Sequence, residues 1–164
     1  MPEVYKEAAE IDARVQELAR ELGPGPHLLV GVLKGCAMFL ADLARAVEGP
    51  ADLAFVRARS YGDRTESSGE VLVDAAGPES FEGRDLVVVD TVLDTGHTLT
   101  AVTAYLREQG AASIRTCVLL DKPARRQVDV QADLVGWTVP DLFLVGYGLD
   151  YSGQHRGLKD LAVI

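Results

Sequence analysis

The sequence is poor in the residues that mark secreted and membrane proteins. It has only two cysteines in 164 residues, Cys36 and Cys117, which lie far apart and each inside an apolar segment. Small secreted domains carry cysteines at higher density, so these two are interpreted as buried, reduced thiols. No apolar run approaches the roughly 18 residues of a membrane-spanning helix, and the charged start "MPEVYKEAAEIDARV" does not resemble a signal peptide. We therefore expect a cytoplasmic protein without a membrane partner.

Basic residues are also in deficit. Lys and Arg number 16 against 25 Asp and Glu, which gives a formal net charge of -9. A nucleic-acid-binding module presents a basic patch or stripe, so no nucleic-acid partner is expected. An acidic domain can still bind a polyphosphate at a local site, usually together with a metal ion. The length predicts one domain over residues 1–164 with a single sizeable core.

Apolar patterns predict an α/β fold. Helical spacing of Ile11, Val15, Leu18 and Leu22 predicts a helix in "YKEAAEIDARVQELAREL". Two more helices are predicted in "KGCAMFLADLARAV" and "HTLTAVTAYLREQG", and strands in "HLLVGVL", "ADLAFVRARSY", "EVLVDAA", "LVVVD" and "SIRTCVLLDK". Alternating strands and helices imply a parallel-rich central sheet flanked by helices. The β-rich tail is predicted to form a small subregion near one sheet edge.

The candidate site follows from the predicted sheet, because open α/β sheets bind ligands beyond the carboxyl ends of their strands. The loop "DTVLDTGHT" follows one such strand. Small residues between a strand and a helix leave backbone N–H groups that bind anions, and Thr95, Gly96 and Thr98 suit a phosphate monoester. Asp90 and Asp94 would then face sugar hydroxyls, a metal or a proton to be removed. The alternative is an ordinary strand–loop–helix junction with Asp94 as a helix cap.

A family resemblance rests on these motifs. "VVVDTVLDTGHTL" resembles the phosphoribosyl-diphosphate (PRPP) signature of type I phosphoribosyltransferases. "DKPARR" and "VGYGLDY" resemble the hypoxanthine-guanine branch, "LLVGVLKGCAMFLADL" is similar to that branch's first loop, and "RSYGDRTESSGEV" resembles its flexible catalytic loop, here about residues 60–70. The resemblance covers nearly the whole chain, from about Val4 to Ile164. It implies the type I phosphoribosyltransferase fold with a C-terminal hood formed mainly by about residues 128–164.

The resemblance also implies an activity and its partners. The chain would transfer the 5-phosphoribosyl group from PRPP to a 6-oxopurine, which gives IMP or GMP and pyrophosphate in purine salvage. Hypoxanthine and guanine are the expected acceptors, and xanthine is left open. Mg²⁺ is the implied cofactor, held through Asp90 and Asp150, and the relatives imply a homodimer or homotetramer.

The resemblance implies roles for individual residues of the site. The 5'-phosphate and ribose of PRPP would be bound by Asp90, Asp94, Thr95, Gly96, His97 and Thr98. Its pyrophosphate would be bound by Leu33, Lys34, Gly35, Ser60, Tyr61 and Arg156, with a cis peptide before Lys34. The purine site would be formed by Lys122, Phe143, Leu144 and Asp150. Asp94 would be the catalytic base near N7 of the purine, and Lys122 would donate to its 6-oxo group. Trp137, Tyr147 and Tyr151 are interpreted as structural, and Asp141 as a turn residue.

Thr91 departs from the family pattern. Most members of the branch have two adjacent acids here, commonly Glu-Asp, whereas this sequence has Asp90-Thr91. Loss of a charged hydrogen bond typically costs about 1.5–3 kcal/mol, so we expect weaker binding of PRPP or a lower rate. Three outcomes are open: an enzyme with altered PRPP affinity, an enzyme with a shifted substrate, and a catalytically weak nucleotide-binding regulator. The first is favoured because every other matched position carries usable chemistry, and it predicts that Thr91→Asp tightens PRPP binding.

Overall fold

The computed structural model describes residues 1–60 and 70–164, so Tyr61 and most of the predicted catalytic loop lie outside the described residues. The elements along the chain are β1 (Glu3–Lys6), α1 (Ala8–Leu22), β2 (His27–Leu33), α2 (Ala37–Ala46), β3 (Ala51–Ser60), β4 (Val71–Ala75), β5 (Asp85–Leu93), α3 (His97–Glu108), β6 (Ser113–Asp121), β7 (Leu134–Thr138), β8 (Leu144–Val145) and β9 (Leu161–Val163). A short 3₁₀ helix, Pro123–Arg125, follows β6.

Six strands form the central sheet in the order β4-β3-β2-β5-β6-β7. β4 is antiparallel to β3, and the other neighbours are parallel. The predicted parallel-rich α/β class is therefore confirmed. β7 lies in the sequence range of the predicted hood, but it pairs with β6 as an edge strand of the central sheet.

Both faces of the central strands are covered, which explains their continuous apolar sequences. Side chains alternate between the faces of a strand. In β5, Val87 and Val89 pack in the core that includes α1 and α2, whereas Leu86 and Val88 pack in the core that includes α3. In the described part of the chain, no helix is long and apolar enough to cross a membrane.

A second sheet joins the two ends of the chain in the order β1-β9-β8. Its first strand corrects the sequence prediction, which began a helix at Tyr5. Residues Glu3–Lys6 instead pair antiparallel with Leu161–Val163, and α1 begins at Ala8. Pairing with a strand at the far end of the chain overrides the weak local preference of these few residues for a helix.

Candidate active site

A cleft of about 720 Å³ opens at the carboxyl ends of the central strands. Its walls come from the loops after β2, β5 and β6 and from the segment around β8. Open α/β sheets bind their ligands at this end of the strands. Eight of the predicted site residues line it: Lys34, Gly35, Asp94, Lys122, Phe143, Leu144, Asp150 and Arg156. The cleft therefore brings together residues predicted for pyrophosphate, for the purine and for proton transfer.

A smaller adjoining pocket of about 70 Å³ is lined by the predicted phosphate residues Asp90, Asp94, Thr95 and Thr98. Asp94 lines both cavities and so stands where they meet. Among the described residues, four predicted ones line neither cavity. Gly96 is buried, His97 is half-buried, Leu33 ends β2 and Ser60 is exposed at the end of β3. The peptide between Leu33 and Lys34 is cis, as the resemblance implies.

The turn before α3 has the geometry of an anion site. Gly96 precedes the first helical residue, His97, with φ at +94°, a conformation that favours glycine. A β-carbon on Gly96 would also lie 2.5 Å from Val130 Cγ1. The first N–H groups of a helix have no acceptor within the helix, and its dipole is positive at this end. The turn is therefore suited to a phosphate group.

Residues 122–130 fold over this turn and occupy its carbonyl groups. The N–H of Lys122 donates to the Leu93 carbonyl at 2.9 Å, and the N–H of Gln127 donates to the Thr95 carbonyl at 2.9 Å. Between them, Arg126 Nε donates to the Asp94 carbonyl at 3.1 Å. Three consecutive carbonyls of the turn are thus turned toward protein donors. Within the turn, the His97 N–H donates to Thr95 Oγ1 at 3.4 Å.

Two neighbouring arginines in this segment were missed by the sequence analysis. Arg126 also donates from Nη1 to the Val130 carbonyl at 2.6 Å and pairs through Nη2 with Asp121. Arg125 lines the cleft. It holds Asp94 Oδ1 at 2.7 Å through Nε and lies 3.7 Å from Asp141 Oδ2. The pair occupies one of the two Asp94 oxygens.

Asp141 was predicted only as a turn residue, but it lines the cleft beside Leu142. The signal for both it and Arg125 was the opposite charge of the basic segment "DKPARR" and the single acid in "VPDLF", which can be interpreted only once the two segments are known to meet. Among the described lining residues, four side chains are cationic (Lys34, Lys122, Arg125 and Arg156) and three are acidic (Asp94, Asp141 and Asp150). A local cationic excess in a protein of net charge -9 suits an anionic ligand.

Lys122 is the most buried charged residue of the cleft, with 8% of its surface exposed. Its Nζ donates to the Leu142 carbonyl at 2.5 Å. An ammonium group has three donors, so this bond orients the amine and leaves two donors for a ligand. Phe143 is exposed on the same wall, and its ring meets the Tyr151 ring edge-on at a centroid distance of 5.7 Å. An exposed ring beside a lysine donor fits a planar base with a carbonyl group.

The two carboxylates predicted to hold Mg²⁺ lie in different surroundings. Burial raises the pKa of Asp90 to about 7 and outweighs the opposing effect of the hydrogen bond from the Thr91 N–H. Asp150 Oδ1 lies 3.0 Å from Arg156 Nη2, and its Oδ2 accepts from the Gly153 N–H at 2.7 Å. Across the described residues, no group of three or more His, Cys, Asp and Glu could hold a metal by itself. Mg²⁺ is commonly held by one or two carboxylates together with substrate phosphates, and this donor set fits that type of site.

Thr91 does not face the cleft, contrary to the expectation for the second member of an acid pair. β5 continues to Leu93, so Thr91 shares the face of Val87 and Val89, and Asp90 points to the opposite face. The Thr91 side chain is fully buried, and its Oγ1 donates to the Gly35 carbonyl at 2.8 Å. The substitution therefore removes no charge from the wall of the cleft.

Comparison with known proteins identifies the family of this chain. Residues 3–152 match the family described as "Phosphoribosyl transferase domain". The hypoxanthine-guanine phosphoribosyltransferase of Bacillus subtilis is 41% identical over 159 residues, which cover 94% of this chain and 88% of that protein. The bifunctional protein TilS/HprT of Listeria monocytogenes is 41% identical over 160 residues, and the chain spans 24% of its length.

A solved structure has the same fold. The crystal structure of a hypoxanthine phosphoribosyltransferase from Staphylococcus aureus is similar with a TM-score of 0.91 and 36% identity, over 99% of this chain and 90% of that one. The architecture is thus the type I phosphoribosyltransferase fold, as the resemblance implied. On the family match and these identities, the chain belongs to the phosphoribosyltransferase family.

Proposed function

We propose that this chain is a hypoxanthine-guanine phosphoribosyltransferase of purine salvage. It transfers the 5-phosphoribosyl group from PRPP to N9 of hypoxanthine or guanine, and xanthine is the third acceptor to test. The observation that carries the proposal is the shared cleft of Lys34, Asp94, Lys122 and Arg156. One cavity thereby joins cations for pyrophosphate, a carboxylate for proton transfer and a buried donor for a 6-oxo group.

In this reaction the bond from C1 of ribose to the pyrophosphate oxygen breaks, and the bond from C1 to the purine nitrogen forms. The electron pair of the broken bond leaves with pyrophosphate, which Lys34 and Arg156 bind. The proton lost by the purine goes to Asp94. The turn at Thr95–Thr98 binds the 5'-phosphate, so the protein contributes mainly positioning and electrostatic stabilisation.

Purine selection is assigned to the wall that carries Lys122. Its ammonium donates to a 6-oxo group, whereas the 6-amino group of adenine would place donor against donor. Phe143 stacks on the base, and the main chain of Leu144 binds its edge. Mg²⁺ held through Asp90 and Asp150 would neutralise charge on PRPP and on the departing pyrophosphate.

We further propose that residues 1–164 act as a single cytoplasmic domain and that the protein is a homodimer or homotetramer. A non-catalytic regulator is the weaker candidate. Its main support was the missing acid at Thr91, and that side chain is buried away from the cleft. The relatives of known function are also named as transferases.

The test is an ultraviolet absorbance assay with PRPP, Mg²⁺ and each of hypoxanthine, guanine, xanthine and adenine. We expect turnover with 6-oxopurines and none with adenine.

Lys122→Met removes a charged hydrogen bond worth about 1.5–3 kcal/mol, so kcat/KM for hypoxanthine should fall by a factor of about 10 to 150. Lys159→Met, which changes an exposed lysine outside the cleft, is the matched control. Retained binding of a nucleoside monophosphate without turnover of any base would favour the regulator.

A further inference from the structure

The Gly35 carbonyl, in the loop between β2 and α2, is enclosed by two other parts of the chain. On the β5 side it accepts the hydrogen bond from Thr91 Oγ1 at 2.8 Å. On the other side Gly148 approaches so closely that a β-carbon there would lie 2.3 Å from this oxygen. Gly148 has φ at +99°, which also favours glycine. The carbonyl is therefore held between β5 and the turn that contains Gly148.

The same contacts reach a cationic side chain of the cleft, Arg156. The Gly148 N–H donates to the Arg156 carbonyl at 3.0 Å, and the Gly148 carbonyl accepts a hydrogen bond from Arg156 Nη1. Thr91, Gly35, Gly148 and Arg156 thus form a continuous series of contacts. Two of its members, Gly35 and Arg156, are proposed to bind pyrophosphate.

We infer that Thr91 is a positioning residue for pyrophosphate, which holds the Lys34–Gly35 loop in place through the Gly35 carbonyl. The inference rests on the proposed function for the identity of the ligand. The hydroxyl of the fully buried Thr91 supplies the proton of a part-buried hydrogen bond, and without that donor the carbonyl loses its side-chain partner. An unsatisfied buried carbonyl is costly, so the loop would move to find another donor, and Lys34 would move with it.

This role reverses the expectation for an acid at the position. A carboxylate accepts hydrogen bonds and, when ionised, has no proton to donate. An aspartate at residue 91 would set its oxygens against the Gly35 carbonyl oxygen in a fully buried place. Thr91→Asp should therefore weaken binding of PRPP and of pyrophosphate, whereas an acid that faced the sugar would strengthen binding of PRPP.

The experiment compares Thr91→Ser, Thr91→Val and Thr91→Asp. Serine keeps the donor, and valine keeps the shape of threonine without it. Calorimetry with pyrophosphate and Mg²⁺ gives the affinity of the loop directly, and steady-state kinetics give KM for PRPP and for hypoxanthine. For Thr91→Val and Thr91→Asp we expect Kd for pyrophosphate and KM for PRPP to rise about tenfold or more. KM for hypoxanthine and Kd for GMP should stay within about twofold, and Thr91→Ser should behave like the wild type.

Thr103→Val is the matched control for the loss of a buried hydroxyl. Thr103 is also buried and its Oγ1 donates to the Leu99 carbonyl at 3.0 Å, but inside α3 and outside both cavities. This variant should leave pyrophosphate affinity unchanged, because the Leu99 carbonyl keeps its backbone hydrogen bond within α3. If Thr91→Val does not fold, Thr91→Ala provides the same comparison.

The outcomes separate this inference from the proposed function. Wild-type pyrophosphate affinity in Thr91→Val, or tighter PRPP binding in Thr91→Asp, would overturn the positioning role. A wild-type protein that binds no pyrophosphate would overturn it as well. If the wild type shows no turnover but its pyrophosphate binding still depends on the residue 91 hydroxyl, the proposed enzymatic function is refuted and the positioning role is supported.

Discussion

Arg126 is expected to be the most important single side chain for the stability of the phosphate-binding turn. Its guanidinium makes two hydrogen bonds to carbonyls, those of Asp94 and Val130, and an ion pair with Asp121. The side chains of Arg126 and Asp121 are only 16% and 19% exposed. Arg126→Met removes all three contacts and leaves the Asp121 charge in a region with little water.

The size of the effect follows from that burial. Removal of one partner of a buried ion pair costs about 3–5 kcal/mol, and the residual exposure places the expected loss near the lower end, about 3 kcal/mol. Arg125→Met is the matched control, since Arg125 pairs with Asp94 at the surface and 46% of the Arg125 side chain is exposed. Surface pairs contribute about 0–1 kcal/mol. The adjacent variants should thus differ by about 2–3 kcal/mol in the free energy of unfolding.

Urea denaturation measures this difference by linear extrapolation. Combining Arg126→Met with Asp121→Asn should restore part of the loss, because the uncompensated charge is then gone. Calorimetry with GMP should show weaker binding in Arg126→Met, because the Asp94 carbonyl is released and the turn is less well held. Equal stability of the Arg125 and Arg126 variants would refute this account. It would also be refuted if the losses in free energy of unfolding of Arg126→Met and Asp121→Asn simply added in the double variant.

Two further predictions concern the thiols and the turn. Burial raises the pKa of Cys36 and of Cys117 to about 12 from an ordinary 9.0. Below pH 9 the thiols are protonated in both the folded and the unfolded chain, and this contribution to the free energy of unfolding is complete. Between pH 9 and pH 12 they ionise only in the unfolded chain, so the free energy of unfolding falls by up to about 2.7 kcal/mol per pH unit for two thiols. The slope of unfolding free energy against pH should be shallower in a variant with both cysteines changed to alanine, and an unchanged slope would contradict the assignment. Gly96→Ala should destabilise the fold by about 1 kcal/mol or more. It should also weaken GMP binding, measured by calorimetry, more than hypoxanthine binding, measured by steady-state kinetics. Unchanged GMP affinity would contradict this prediction.

Strand positions were predictable where the local sequence carries the signal. "HLLVGVL" coincides with β2, and the spacing of Ile11, Val15, Leu18 and Leu22 marks the buried face of α1. These patterns are visible in the sequence because α1 presents one apolar face to α2 and β7, and because β2 is covered on both faces. The strand Glu3–Lys6 has no such pattern, since its partners come from the far end of the chain.

The cleft was predictable in outline because the loops after the parallel strands must meet at one edge of the sheet. Its arginines were not. Arg125 and Arg126 are adjacent in the sequence, yet one lies at the surface beside Asp94 and the other is nearly buried beneath the turn. Only the path of residues 122–130 over the turn decides between these positions, and no local pattern encodes that path.

The expectation that residue 91 faces the sugar came from the predicted end of β5. If the strand ended at Asp90, residues 90 and 91 could both face the sugar as neighbours in a loop. In the structure Asp90 pairs with Val118 and Val92 pairs with Leu120, so the strand continues through Thr91. Successive side chains of a strand point to opposite faces, and the two residues therefore serve different parts of the site. A substitution at the second position changes the support of the pyrophosphate loop and leaves Asp90 in place, which is why loss of an acid in the sequence need not mean loss of an acid in the cleft.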